Sequence, residues 1–279
     1  MSESENRTTI GIDRGATFTD FGVVQSGRLL DSVSLEKRDW DAICGTYDKL
    51  TRKYQAENGV FTGSVSDMPA DLKQSVQVIP EIDAVGFGGS RLAGFDECIV
   101  ASIGTGTVIV HFADNQARHM GGTGLGGGTI KGLASLICNL QDPAEIEASA
   151  LKGNPSQLNL TLSDLGYESL SFLGSDVTAS NFASVRSQRT EDLAAAILRL
   201  VGETVGIIAS ICAREVGCMD QIVMVGKVAQ NRFIRHTIEL VGKLYQTSFE
   251  FPDNPGYATV YGAAVKSEFD HLSPTRQSS

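Results

Sequence analysis

Residues 119–129 read H-M-G-G-T-G-L-G-G-G-T, and six of the eight residues between 121 and 128 are glycine. Clustered glycines are typical of positive φ angles or of a close approach between the backbone and another group. An apolar run compatible with a helix follows from residue 130. A glycine loop that opens into a helix offers N–H donors and the positive end of the helix dipole, which suits an anion such as phosphate. Ordinary turns are also rich in glycine, so this stretch alone leaves phosphate binding open. The loop residues that would hold a phosphate are Gly121, Gly122, Thr123, Gly124, Gly126, Gly127 and Gly128.

Length and charge exclude several classes of protein. With 279 residues, 42% of them hydrophobic, the chain can bury a large core and is expected to form about two domains. Its net charge of −10 gives no positive field for nucleic acid or for an anionic membrane. The polar start lacks the apolar core of a signal peptide, and the longest apolar run is far too short to span a bilayer. We therefore expect a soluble, cytoplasmic protein without a nucleic-acid or membrane partner.

The five cysteines lack any CxxC spacing, and most lie in apolar surroundings. This pattern is typical of buried free thiols in a reducing compartment. No His/Cys spacing indicates a zinc site.

A strand–tight turn–strand pattern occurs twice. It reads G-I-D-R-G-A-T-F-T-D at residues 11–20 and S-I-G-T-G-T-V-I at residues 102–109. Helices and further strands follow each unit, which favours an α/β protein. The longest predicted helix covers residues 191–216, and its apolar stripe is wide enough to face both a sheet and a second subunit. Residues 1–7 and 273–279 are predicted to be disordered.

The first turn carries a carboxylate, Asp13, beside the residues expected to hold phosphate groups, Gly15, Ala16 and Thr17. A carboxylate there repels phosphate unless a divalent cation intervenes, and proteins commonly bind Mg²⁺ through one or two carboxylates plus phosphate oxygens. The alternative is that Asp13 only caps the backbone of the turn. The second turn offers N–H and hydroxyl donors at the matching place, and two such turns facing each other would clamp a phosphate chain. Its residues are Gly104, Thr105, Gly106 and Thr107.

Five motifs in order resemble the type II pantothenate kinases of the acetate kinase/sugar kinase/Hsp70/actin superfamily, and the similarity covers roughly residues 8–268. They are I-G-T-G-T at 103–107, G-G-T-G-L-G-G-G-T at 121–129, D-V-T-A-S-N-F at 176–182, V-M-V-G-K-V-A-Q-N at 223–231 and Y-A-T-V-Y-G-A at 257–263.

The resemblance implies a two-lobed actin-like ATPase fold made of duplicated ribonuclease H-like domains. The lobes would cover residues 8–95 and 96–270, with ATP and Mg²⁺ between them. It further implies a homodimer built on the long helix and phosphorylation of the hydroxyl group of pantothenate. Gly226 would contribute to the nucleotide site, and Asn181 and Tyr257 would contact the substrate.

The family's catalytic base is a glutamate that follows a short strand, and Glu81 of E-I-D-A matches that position. A carboxylate within hydrogen-bond reach can accept the proton of a substrate hydroxyl during phosphoryl transfer. From the residues alone, the better interpretation of Glu81 is an acid favoured by the dipole in the first turn of a helix. Asp83 is the second choice for the base.

Two positions depart from the family pattern. The family has a lysine where this chain has Asp20, and an arginine just before its glycine loop where this chain has His119, preceded by Arg118. Adjacent strand residues point to opposite faces, so Arg118 replaces that arginine only if the strand carries a bulge. Three functions therefore remain open: a pantothenate kinase, a kinase of another hydroxyl-bearing acceptor, and a non-catalytic dimer that binds nucleotide or an acyl-CoA.

Overall fold

The computed structural model describes residues 7–36, 39–170 and 173–272. The tails predicted to be disordered, apart from Arg7, lie outside these ranges. Among the described residues the chain forms two five-stranded sheets and two short two-stranded ones.

The first sheet contains the first predicted strand–turn–strand unit. Its strands are β1 (Thr8–Arg14), β2 (Thr19–Gln25), β3 (Arg28–Leu35), β4 (Asn58–Gly63) and β5 (Gln77–Val78), and their order in the sheet is β3-β2-β1-β4-β5. The first three strands form an antiparallel meander, and β4 and β5 continue the sheet in parallel with β1. Helices α1 (Trp40–Tyr54) and α2 (Ala70–Ser75) cover one face of the sheet. Ile10, Phe21 and Ile43 are fully buried in this layer, because alternate strand residues point toward α1.

The second sheet repeats this topology. Its strands are β6 (Cys98–Ile103), β7 (Thr107–Ala113), β8 (Gln116–Thr123), β13 (Ile222–Val225) and β14 (Phe249–Glu250), in the order β14-β13-β6-β7-β8. Again three antiparallel strands are extended by two parallel strands on the side of the first strand of the meander. The repeat seen in two short motifs is therefore a duplication of the whole strand order. This confirms the predicted α/β fold of two ribonuclease H-like units.

The helices form layers on both sides of the sheets. The remaining helices are α3 (Glu81–Ala93), α4 (Gly127–Leu133), α5 (Pro143–Ala150), α6 (Thr190–Val216), α7 (Arg232–Tyr245) and α8 (Ala258–Leu272). α6 and α7 pack on the outer face of the second sheet, whereas α3 and α8 lie between the two sheets. α6 is long and apolar enough to cross a membrane, but most of its apolar window is buried inside the protein, as expected for a core helix of a soluble protein.

The packing crosses the predicted boundary between residues 95 and 96. α3 precedes the boundary but packs on the second sheet, and α8 belongs to the second unit but packs on the first sheet. The division of the chain at this point stays a prediction, and each unit gives one helix to the layer that joins them.

The connection between α5 and α6 contains four short strands within the described residues. The sequence pattern did not predict these strands, which are β9 (Leu160–Thr161), β10 (Ser169–Leu170), β11 (Leu173–Gly174) and β12 (Thr178–Ser180). The start of the glycine-rich stretch also differs from the predicted loop, because Gly121–Thr123 form the end of β8. These glycines continue the edge strand of the sheet, and the loop itself spans only residues 124–126.

Candidate active site

The turns of the two strand–turn–strand units meet. The hydroxyl oxygens of Thr17, between β1 and β2, and Thr105, between β6 and β7, lie 3.0 Å apart and share a hydrogen bond. Both side chains are exposed at the mouth of the cleft between the sheets. The two turns that sequence analysis paired as a phosphate clamp therefore face each other.

The glycine loop folds onto the second turn. The N–H of Gly127 donates to the carbonyl of Gly104 at 2.8 Å, and that of Gly128 donates to Thr105 at 2.9 Å. A Cβ atom on Gly128 would lie 2.8 Å from the Thr105 side chain, and one on Gly126 would lie 2.7 Å from the Thr105 carbonyl oxygen. Of the two explanations for clustered glycines, close backbone approach applies here. The N–H groups of Gly127 and Gly128 stabilise the turn, so their contribution to a phosphate site is indirect.

Two carboxylates lie side by side at the base of the cleft. Asp13 on β1 is directly opposite Asp20 on β2, and opposed residues of an antiparallel pair share a face of the sheet. Burial, followed by the charges of Asp20 and Glu81, raises the pKa of Asp13 to about 8, against a partial lowering by Lys227. Burial and the two acidic neighbours thus outweigh the charge of Lys227, and a divalent cation would add the positive charge that favours the ionised carboxylate. The residues present therefore fit a Mg²⁺ site at Asp13.

Lys227 brings a positive charge to these carboxylates from the other half of the chain. Its Nζ donates to Asp20 Oδ1 at 2.7 Å and lies 3.8 Å from the ring centroid of Phe18. Ser34 on β3 also hydrogen-bonds Asp20 and Lys227. The lysine side chain is 30% exposed and the aspartate 12%, so this pair is shielded from water on most sides.

A glycine fixes the backbone before Lys227. Gly226 directly follows β13 with a φ of 89°, in the left-handed region that favours glycine, and its Cβ would lie 2.5 Å from the Ile103 carbonyl oxygen. Its N–H donates to Pro255 at 2.8 Å. The motif at residues 223–231 contains this lysine, but the motif alone gives the lysine no role. The sequence does contain a signal for Lys227. The chain lacks the family's lysine at position 20, and Lys227 is a lysine that follows a glycine at the end of a predicted strand.

Glu81 and Asp83 share the first turn of α3 but face different surroundings. Glu81 is exposed at the cleft end of the helix, and its charge acts on Asp13. Asp83 is half-buried, and its neighbours are Lys266 and Asp270 of α8; burial raises its pKa. The geometry therefore separates the two candidates for the base and favours Glu81.

Arg118 and His119 are exposed on the edge strand β8. The strand carries a bulge between the pairs Ile109–Gly121 and Val110–His119, and the bulge accommodates Met120. Arg118 stands opposite His111, on the face toward α6, whereas His119 stands opposite Val110, on the face toward α3. His119 is thus on the side of Glu81, and Arg118 is not.

The two predicted substrate contacts lie in different surroundings. Tyr257 is half-buried near the cleft, with its ring centroid 6.0 Å from Lys227 Nζ. Asn181 accepts a hydrogen bond from Asn159 at 3.1 Å, and its side chain also hydrogen-bonds Glu203 of α6. The structure shows no contact that brings Asn181 to Tyr257 within the described residues.

Solved structures share this architecture over almost the whole chain. The activator of the 2-hydroxyisocaproyl-CoA dehydratase from Clostridium difficile with bound ADPNP superimposes with a TM-score of 0.67 at 17% identity, covering 98% of this chain and 99% of that chain. A ROK family glucokinase from Streptomyces griseus in complex with glucose and AMPPNP gives a TM-score of 0.63 at 17% identity, covering 92% and 98%. At these identities the likeness shows the fold alone, which is the actin-like ATPase fold.

A duplicated actin-like fold with two turns facing each other at its cleft places the chain among the proteins of the actin-like ATPase fold, and its sequence relatives show it to be an ATP-dependent phosphotransferase that acts on an alcohol. The chain belongs to the Fumble family, the type II pantothenate kinase family, whose model matches residues 88–266. It is 28% identical over 235 residues to the type II pantothenate kinase of Bacillus cereus (strain ATCC 10987 / NRS 248), covering 80% of this chain and 84% of that protein. The protein of the same name from Staphylococcus aureus (strain USA300) is 25% identical over 268 residues, with coverages of 91% and 97%. The family resemblance of the five motifs is confirmed.

Proposed function

We propose that this protein transfers the γ-phosphoryl group of ATP to the hydroxyl group of pantothenate, the first step of coenzyme A synthesis, with Glu81 as the general base. One observation carries the proposal: Asp13, Glu81 and Lys227 lie close enough for their charges to interact, in a cleft lined at its mouth by Thr17 and Thr105. We take pantothenate as the acceptor because the relatives are named type II pantothenate kinases.

The phosphates of ATP would lie between the two turns. The phosphates would contact the turns at residues 15–17 and 104–107, where the Thr17 and Thr105 hydroxyls now bond each other, while hydrogen bonds from the glycine loop hold the second turn in place. Asp13 would hold Mg²⁺, which when bound neutralises charge on the phosphate oxygens. Gly226, which directly follows β13, would line the nucleotide site on the side of the second sheet.

Glu81 accepts the proton of the pantothenate hydroxyl as that oxygen attacks the γ-phosphate, and ADP leaves. Its exposure at the start of α3 lets the carboxylate reach a substrate in the cleft, and it neighbours Asp13 closely enough to alter that group's pKa. Lys227 supplies the charge that the family places at position 20. Together these groups position the two substrates and neutralise the charge of the phosphates, which is the main task of an enzyme in phosphoryl transfer.

The test is a coupled ADP-release assay with pantothenate, applied to Glu81→Gln and to the matched control Asp83→Asn. Both changes remove one acid from the first turn of α3, so both lose the same dipole interaction of about 0.3–1 kcal/mol. A general base contributes about 10²- to 10⁴-fold, so kcat should fall by that factor in Glu81→Gln and stay near wild type in Asp83→Asn. Equal, small effects of both changes would show that Glu81 is only a first-turn acid.

The assay also separates the other two functions. Turnover with a different hydroxyl acid but not with pantothenate would move the acceptor, a result that the exposed His119 in place of an arginine would explain. ATP binding in a thermal-shift measurement without any turnover would identify a non-catalytic homologue.

We further propose a cytoplasmic homodimer built on α6. Ile211 of this helix is 55% exposed although one side of the helix is buried, and Leu136 and Ile137, before α5, are also exposed. The segment that carries Leu136 and Ile137 packs against α6, and exposed apolar side chains that form one continuous patch are typical of an interface between subunits. Sedimentation equilibrium would give twice the chain mass for the wild type, and Ile211→Asp would shift the distribution toward monomer.

A further inference from the structure

Three side chains with metal-binding atoms meet at the end of the second sheet that lies away from the cleft. They are Glu97, immediately before β6, His111 in β7, and Cys218, after α6. Their ligand atoms all lie within 4.8 Å of one another, and the imidazole Nε2 of His111 is 3.1 Å from Glu97 Oε1. β6 separates this cluster from the Gly104 turn by about 20 Å, at about 3.3 Å per residue.

Regular backbone structure holds each of the three side chains. The pairing of β6 with β7 places His111 opposite Ile99, two residues after Glu97. Cys218 follows Gly217, which ends α6 with a φ of 80°, and the Cys218 N–H donates to the Ala213 carbonyl at 2.9 Å. The Ile99 N–H donates to Gln221 and so ties the same connection to β6. The cluster is thus built by a sheet and a helix end, with little freedom to separate.

From this geometry we infer a zinc site formed by Glu97, His111 and Cys218. A thiolate, an imidazole and a carboxylate match the donors that Zn²⁺ prefers, and three protein ligands leave one of its four tetrahedral positions to water. Cys218 is buried, His111 is half-buried and Glu97 is exposed, so an ion would enter from the Glu97 side. Bound there, Zn²⁺ joins the end of α6 to the first two strands of the second sheet. The sequence showed no such cluster, because more than 100 residues separate Cys218 from His111.

The test uses Co²⁺, whose bond to a thiolate has a characteristic charge-transfer absorption. Full-length protein is treated with a chelator under reducing conditions and titrated with Co²⁺ in an excess of Mg²⁺, which occupies sites made of oxygen ligands. We expect the thiolate band to saturate at one Co²⁺ per chain and to disappear on addition of Zn²⁺. Cys218→Ser should lose the band, and Cys138→Ser, which removes a half-buried thiol elsewhere in the second unit, should keep it.

A second variant keeps the test decisive if Cys218→Ser folds poorly. His111→Gln should weaken Co²⁺ binding by at least about 100-fold, because changes to groups behind the ligands alone cost about 10- to 100-fold. Absence of the band from the wild type, or its persistence in folded Cys218→Ser, would show that the three groups form only a hydrogen-bonded cluster. Neither result depends on ATP or pantothenate, so the proposed kinase activity is tested separately.

Discussion

The ion pair between Lys227 and Asp20 allows the role of a charge to be separated from its effect on stability. We predict that Lys227→Met, which keeps the apolar stem and removes the charge, lowers both activity and stability. The pair spans the cleft with an N–O distance of 2.7 Å. Its lysine contacts the Phe18 ring, so the stem of the methionine can keep part of that packing.

The expected loss of stability follows from the burial of the pair. Removing one partner of a fully buried pair costs about 3–5 kcal/mol, whereas an exposed pair contributes about 0–1 kcal/mol. Side chains that are 30% and 12% exposed lie between these limits, so we expect about 2 kcal/mol. For a chain of this size that corresponds to a decrease in Tm of roughly 4–8 °C. Much of the loss arises because Asp20 then stands unpaired beside Asp13.

The expected loss of activity has a different origin. A hydrogen bond from a charged donor contributes about 1.5–3 kcal/mol, so loss of a lysine that binds a phosphate should lower kcat/KM for ATP by about 10- to 150-fold. The double variant Lys227→Met/Asp20→Asn removes the unpaired carboxylate as well. It should regain most of the lost Tm but none of the lost kcat/KM.

Thermal unfolding and steady-state kinetics on the wild type, both single variants and the double variant complete the cycle. If the double variant regains activity together with stability, the ion pair is purely structural. If Lys227→Met leaves kcat/KM for ATP within about twofold of wild type, Lys227 does not act on the nucleotide. Asp20→Asn alone should retain activity to within about tenfold, since it leaves the lysine charge in the cleft.

Two further predictions concern the carboxylate and the glycines of the cleft. The pKa of Asp13 is about 8 in the folded protein and 3.8 in the unfolded chain. Between pH 3.8 and pH 8 the folded state therefore keeps a proton that the unfolded chain has lost, and the free energy of unfolding falls as the pH rises through this range. Asp13→Asn, measured without Mg²⁺, should therefore have a higher Tm than the wild type, by a difference that grows from pH 5 to pH 8, although the variant loses activity. A Tm difference that does not change with pH would contradict the raised pKa of Asp13. Gly128→Ala should lower stability by about 1–3 kcal/mol, because its Cβ would lie 2.8 Å from Thr105, whereas Gly124→Ala, with nothing within 4 Å of its Cβ, should change the Tm much less. Similar Tm values for the two alanine variants in denaturation experiments would show that the loop does not pack as described.

The two short strand–turn–strand motifs predicted more of the fold than their length implies. Each begins a unit whose strand pattern repeats completely in the structure, and the apolar periodicity located α6 to within one residue. Local patterns succeeded here because the side-chain period of strands and helices is written in the sequence itself. They failed for β8, since a glycine-rich edge strand looks like a loop when its partner strand is unknown.

Asp13 and the two turns were predicted from their own motifs, because a carboxylate beside a glycine turn has a distinctive local chemistry, whereas Glu81 was predicted only from the family resemblance. Their roles stay predictions, and the structure brings these residues to one cleft. Lys227 was missed, since its meaning depends on Asp20, which is 207 residues away. The difference between Glu81 and Asp83 was equally invisible, because two acids in one helical turn become distinct only when α8 packs beside one of them.

The amino-acid sequence by itself determined the fold class, the duplicated unit, the family and the turns that face each other across the cleft. Only the tertiary structure decided which charges act together. It paired Lys227 with Asp20, placed His119 and Arg118 on opposite faces of an edge strand, and assembled Glu97, His111 and Cys218. The physical reason is that hydrophobic periodicity is a local property of the chain, whereas electrostatic and metal-binding sites depend on distances between side chains that only folding sets.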